Sequence, residues 1–335
     1  MIDRRAFVGV AVVALATLGR ASAQAPGKVH RVGWIATRSP SSDPAVARIW
    51  NSILGEFGRL GYVEGKNLAF EMRAADGEAE RYPELAADLA RLKVDVIVVG
   101  TDAGVRAAKA ATAQIPIVMY GVTDPVGFGV IASYARPGGN VTGLAEGSFS
   151  AIHLKRLELL KAIAPKVKRV VWLQGNFHGL DAAQREVRRK EIEAGNQALG
   201  ASVPSVYLNV REDFERARAE VLRERPDALI LSPNPINRIL RNEIAAFALE
   251  HRLPAVGGGR AHVEAGLLAG FGPGTPIRDL VGYVDKILRG AKPGDLAVVE
   301  SSTFDLSVNL RTAAALGLTV PESVLVRAAP DAIVR

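Results

Sequence analysis

The chain repeats itself, and that repetition limits its possible architecture more than any other feature. Residues 29–36 read VHRVGWIA and residues 167–174 read VKRVVWLQ, an offset of 138 positions. Further along, LARLKVDVIVVG (89–100) has a counterpart in LRERPDALILSP (222–233), with Asp95 matching Asp227. AATAQIPIVMYG (110–121) pairs in the same way with ALEHRLPAVGGG (248–259), with Pro116 matching Pro254. Three matches in one order indicate a duplicated supersecondary unit.

Within each unit, short Val- and Ile-rich runs alternate with helical stretches such as Ile49 to Leu60 and Tyr82 to Leu92. Apolar strands that do not alternate in polarity and are separated by helices imply parallel sheets covered on both faces. The expected fold class is therefore α/β: two doubly wound parallel-sheet lobes. The stretch from Gly266 to Arg335 is left over from the duplication. It holds a strand-like GLLAGFG (266–272), a helix from Ile277 to Leu288 and a strand from Phe304 to Leu310. It is expected to cross between the lobes, giving hinge strands near residues 146, 272 and 302. On that reading the N-terminal lobe comprises residues 28–146 plus 272–301, and the C-terminal lobe 147–271 plus 302–335.

A length of 335 residues suits two domains of ordinary size. The first 23 residues have a different character: Arg4 and Arg5, an apolar run from Phe7 to Leu18, then Ala21-Ser22-Ala23. This is the three-part pattern of an export signal cut after Ala23, with an apolar run too short to span a bilayer. Asp3-Arg4-Arg5-Ala6-Phe7-Val8 also resembles a twin-arginine signal, so the general and twin-arginine routes both stay open. The expected location is the periplasm, with the mature protein free of the membrane. There is no cysteine, which excludes disulfides and thiolate metal sites. Removing residues 1–23, which carry Arg4, Arg5 and Arg20 against Asp3, takes the formal charge from +7 to +5. The basic residues are interspersed with acids, as in Arg185 to Glu193, which argues against nucleic-acid binding.

Five blocks carry a specific resemblance: RLGYVEGKNLAFE (59–71), GVTDPVGFGV (121–130), ARPGGNVTGL (135–144), KRLELLKAIAP (155–165) and YVDKILRGAKPGDLAVVE (283–300). Together they resemble the ABC-transporter substrate-binding family that includes tryptophan-binding-type members. The resemblance implies a type I periplasmic-binding fold, no catalysis, and a permease and an ATPase as partners. In some members it implies an aromatic amino acid as ligand, held between the lobes by hinge closure. Two loops depart from the pattern: QGNFHGL (174–180), in place of an Asn-Pro-x-Asn-Pro-like turn, and SPNPIN (232–237), in place of an acidic Asp-Pro.

Ligands of open parallel sheets bind beyond the carboxyl ends of the strands. In the first lobe those ends should present Thr37 and Ser39, Thr101 and Asp102, and Thr123 and Asp124. Hydroxyls beside helix N-termini suit a carboxylate, and an aspartate suits an ammonium. The same residue types also cap helices with no ligand present. In the second lobe the equivalent loops offer Asn176, Phe177 and His178, then Asn234, Gly258 and Arg260. An aromatic ring there could stack on a planar ligand and a glycine would let backbone approach it, while Arg260 reads equally as a surface charge. Trp34 and Trp172 fall inside strands and read as core. No cofactor or metal is implied, since the five histidines form no H-E-x-x-H and no G-x-S-x-G occurs. Gly127-Phe128-Gly129-Val130-Ile131-Ala132 fits G-x-G-x-x-A formally, but it does not follow the first strand, which disfavours a Rossmann-type enzyme. A monomer is expected. A periplasmic binding protein that feeds a sensor would use the same cleft and stays open as an alternative.

Overall fold

A computed structural model describes residues 28–147, 149–175, 182–232, 234–274, 276–301 and 304–335. The first lobe opens with β1 (His30–Ala36), α1 (Pro44–Arg59), β2 (Leu68–Ala74), α2 (Tyr82–Arg91), β3 (Val96–Val99), α3 (Asp102–Ala111), β4 (Ile117–Thr123) and β5 (Val141–Gly147). The second continues with α4 (Phe149–Ile163), β6 (Val170–Gln174), α5 (Ala182–Ala198), β7 (Ser205–Tyr207), α6 (Phe214–Arg223) and β8 (Ala228–Leu231). It goes on through α7 (Pro235–Ile239), α8 (Arg241–Glu250), β9 (Ala255–Gly257), α9 (Arg260–Glu264) and β10 (Ala269–Pro273). The last stretch adds α10 (Ile277–Leu288), β11 (Val299–Glu300), β12 (Phe304–Asn309), α11 (Leu310–Ala315), α12 (Glu322–Leu325) and β13 (Ile333–Val334).

The duplication is visible in the strand order. The first sheet runs β11-β5-β4-β3-β1-β2 and the second β13-β12-β10-β9-β8-β6-β7, so the first five strands of each lobe occupy the same places. Pairing is parallel throughout except between β10 and β12. Central strands such as β3 (VIVV) and β8 (ALIL) are buried at every residue, as strands covered on both faces must be. The matched tryptophans, Trp34 and Trp172, are 2% and 3% exposed, which bears out their reading as core.

The matched aspartates do the same work in both lobes. The Asp95 carboxylate accepts the N–H of Arg31 at the start of β1, while its own N–H donates to Arg31 O. Asp227 accepts the N–H groups of Lys168 and Arg169 at 2.9 Å ahead of β6, and its N–H donates to Arg169 O. Each acid ties the chain entering one strand to the chain entering the neighbouring strand.

The first sheet has one apolar layer under α2 and α3 and another formed with α1 and α10. Leu280, Val281 and Val284 of α10 are fully buried against residues such as Val32 and Phe57, so the first lobe is completed by chain that has already passed through the second. The chain leaves the first sheet between Gly147 and Phe149, returns between Pro273 and Ile277, and leaves again between Glu300 and Phe304. Close backbone approach beside these crossings requires glycine. A β-carbon on Gly143 (φ +129°) would fall 2.1 Å from Met119 O, and one on Gly270 would fall 2.6 Å from Gly259 O.

Two boundaries differ from the sequence reading by more than a single residue. The first helix begins at Pro44, where the proline suits the opening turn and Ala47 N–H donates to Asp43 O. The strand read from Gly266 begins at Ala269, because Gly266 (φ +119°) and Leu267 still donate back to Val263 O and His262 O. The G-x-G-x-x-A match falls in a turn, where Phe128 N–H donates to Asp124 O.

The two backbone N–H groups hold the Asp227 carboxyl below its ordinary range. A carboxyl lowered on folding contributes stability above its unfolded pKa of about 3.9, and the contribution is lost as pH falls through the folded value. Asp227→Asn should therefore cost at most about 1 kcal/mol at pH 7 in urea denaturation, since the site is exposed and solvent screens the charge. The gap from wild type should close as the pH falls below about 4; a gap unchanged at pH 3 would contradict this role.

Candidate functional site

The carboxyl ends of β1, β3 and β4 face α7 of the second lobe across a cavity of about 790 Å³, counting the space open to solvent at its mouth. The first lobe contributes Thr37, Gly100, Thr101, Asp102, Tyr120, Gly121 and, from β5, Leu144, Ala145 and Glu146. The second contributes Asn234, Pro235 and Arg238, and the crossing segments contribute Gly274, Pro276 and Ser301.

Local structure explains how several of these side chains are held. Thr101 caps α3, its Oγ1 accepting Gly104 N–H at 3.0 Å, so it both caps a helix and lines the cavity. Asp102 Oδ1 accepts Thr123 N–H at 3.2 Å. Asn234 caps α7 through Asn237 N–H at 2.8 Å. Tyr120 stands at an irregularity between Met119 and Val122, next to Gly121 at φ +64°. Its ring lies 5.8 Å from that of Trp34, which is backed in turn by Trp50 and Phe70. Burial raises the Tyr120 phenol above its ordinary range.

Charge inside the cavity is concentrated on Glu146 and Arg238. Glu146 lies over Gly121, where a β-carbon would meet its Oε1 at 3.1 Å, so glycine makes room for the carboxylate. Burial holds this carboxyl above its ordinary range, and the positive fields of Arg238 and Arg156 oppose the rise. Arg156, on α4, is 1% exposed. Its Nε donates to Phe271 O at 2.7 Å and its Nη1 to Leu231 O at 2.9 Å, while Nη2 is buried with no hydrogen-bond partner among the described residues. Burial lowers Arg156 to about 10, still charged at neutral pH, and the Glu146 carboxylate opposes that fall. His262 nearby is held to about 3 by burial and then by Arg238, Arg156 and Arg241, so it is neutral and adds no charge.

Of the residues expected from sequence to meet a ligand, Thr37, Thr101, Asp102 and Asn234 come together on the cavity wall. Thr123 is buried at the end of β4, and Ser39 is half-buried outside the cavity lining, its hydroxyl bonded to Ser41. The Asp124 carboxylate accepts Gly127 N–H within its own turn, at φ +46°. Gly258 lies against the Arg156 guanidinium, and Arg260 pairs at the surface with Glu264 and Asp331. Asn176, Phe177 and His178 lie outside the described residues. Glu146, Arg238 and Tyr120 were not anticipated. Glu146 sits at a strand's far end, and Tyr120 inside a run that reads as buried strand.

The lobes also touch beside the cavity. Arg241 grips Asp43 with both amino groups, at 3.0 and 2.9 Å, and Arg38 lies 3.6 Å from the same carboxylate. The Asp43 and Arg241 side chains are 2% and 12% exposed. Arg48 pairs with Glu264 at 2.6 Å, and Ile239 packs so closely on Gly77 that a β-carbon there would fall 2.2 Å from it. Among the described residues no helix is long and apolar enough to cross a membrane, and no group of three acids or histidines could hold a metal ion.

The chain is similar to a tyrosine-binding protein of Clostridioides difficile, 26% identical over 269 residues that span 77% of this chain and 73% of the relative. A conserved domain protein of Vibrio cholerae superposes with a TM-score of 0.79 at 27% identity, covering 92% of this chain and all of that one. An ABC domain from Streptococcus pneumonia in complex with L-Trp superposes with a TM-score of 0.78 at 23% identity, covering 91% and 99%, a likeness of fold. The family described as ABC transporter substrate binding protein matches residues 35–331. With a match that spans both lobes and every crossing, this chain belongs to the ABC transporter substrate binding protein family.

Proposed function

We propose that this chain is the extracytoplasmic capture subunit of an ABC importer, binding a small aromatic or amino-acid solute between its lobes by hinge closure. The observation that carries the reading is a single cavity walled by strand ends of one lobe and a helix of the other, inside a chain that crosses between them three times. Such a wall is complete only when the lobes are together, so a solute touching both sides binds the closed state better and shifts the population toward it. Membership of the substrate-binding family supports delivery to a permease and its ATPase, and the signal-like first 23 residues support export. The curated relative's tyrosine supports an aromatic amino acid, and Tyr120 with its aromatic backing offers a ring surface to stack on. Thr37, Thr101, Asp102 and Asn234 are the polar contacts assigned to the solute.

The Asp43–Arg241 pair fits the same cycle. A bidentate, desolvated ion pair across the lobes forms on closure and returns to water on opening, where hydration offsets most of its attraction. The intact pair therefore closes the lobes without locking them, whereas loss of one partner leaves the other charge unpaired in the closed state and disfavours it.

Two outcomes follow for protein comprising residues 24–335. In calorimetry and thermal-shift assays, L-tyrosine or L-tryptophan should bind and raise the melting temperature; no response to either, with protein stripped of co-purified ligand by unfolding and refolding, would overturn the ligand class. Asp43→Asn should weaken every ligand that binds by a common factor of about ten, equivalent to ~1.4 kcal/mol, because it acts on closure and not on the solute. A loss confined to some ligands would instead place Asp43 in the binding site.

A further inference from the structure

Glu146 and Arg238 are the two side chains in the cavity whose charges are opposite and are not consumed by local structure. Asp102, the other charged group on the wall, is engaged by the N–H of Thr123. Glu146 and Arg238 feel each other's field but share no hydrogen bond or contact ion pair among the described residues. They also belong to different bodies. Glu146 sits on β5, where the chain is about to cross, and Arg238 on α7 of the second lobe. A half-buried carboxylate is costly unless a complementary charge lies beside it, and the exposed Arg238 faces it from the other wall of the cavity. Arg156 behind the cavity strengthens the case: it is buried, and its field favours the ionised form of Glu146.

We infer that Glu146 and Arg238 are the specificity-determining residues of the site, Glu146 holding the ammonium of the solute and Arg238 its carboxylate. The inference rests on the capture reading above and sharpens it to a requirement for both charges on one small molecule. A ligand that carries only the carboxylate leaves Glu146 facing Arg238 across an unfilled gap, and one that carries only the amine leaves Arg238 without an anion. Glu146 is fixed near the hinge and Arg238 moves with the second lobe, so the zwitterion also links closure to correct charge at both ends.

The test is a matched set of three probes titrated calorimetrically into wild type, Glu146→Gln and Arg238→Gln: L-tyrosine, 3-(4-hydroxyphenyl)propionate, which lacks the amine, and tyramine, which lacks the carboxylate. Wild type should prefer tyrosine to either by about 30-fold or more, the size of one charge-assisted hydrogen bond. Glu146→Gln should lose about tenfold of the preference over the propionate and keep that over tyramine, and Arg238→Gln should do the reverse. Thermal melting checks that each variant is folded; Arg238 is exposed, so its variant serves even if the half-buried Glu146 site tolerates change poorly. Tyrosine binding by wild type with both preferences unchanged in the variants would overturn this assignment alone. Failure of wild type to bind any of the three would overturn the aromatic amino-acid reading and this assignment with it.

Discussion

A parallel sheet must be covered on both faces, and in this chain that requirement organises everything else. The duplicated unit supplies helices for most of the four sheet faces. One face of the first sheet, where Val32 and Trp34 lie under Phe57 of α1, is fully closed only when α10 returns from the second lobe and buries Leu280, Val281 and Val284 there. That return makes two of the crossings unavoidable: back after β10, and out again after β11. The lobes are thus interleaved rather than strung in series.

The cavity is a consequence of that interleaving. Parallel strands put their loops and helix N-termini at one end, and here the strand ends of the first lobe meet α7 of the second. Packing fixes the wall. Trp34, Trp50 and Phe70 back Tyr120, glycine at position 121 leaves room for the Glu146 carboxylate, and Arg156 braces β8 and β10 by donating to carbonyls of both. The electrostatics follow from burial. The half-buried Glu146 carboxyl lies in the fields of the buried Arg156 and the exposed Arg238, and the contact between the lobes adds the desolvated Asp43–Arg241 pair.

The fold was largely legible because its signals are local and repeated. Continuous apolar runs marked strands such as β3 and β8, and the matched Asp95 and Asp227 fall at equivalent turns and make the same backbone hydrogen bonds. Helix α10 was read with the bounds it has. The site was legible only in part, since a residue's type at a strand end does not say where its side chain turns. Thr101 and Asp102 reach the cavity, while Asp124, of the same type and at an equivalent place, turns back onto Gly127 N–H. Glu146 and Arg238 carry no short-range signal. Their meeting is a property of how two lobes dock, which no spacing within either unit encodes.

Closure around a solute is the central claim, and small-angle X-ray scattering of residues 24–335 tests it most directly. With ligand removed by unfolding and refolding, the account predicts a more extended profile, whose radius of gyration falls when a ligand verified by calorimetry is added to saturation. A radius of gyration unchanged between the empty and saturated protein would contradict hinge closure, whatever the solute proves to be.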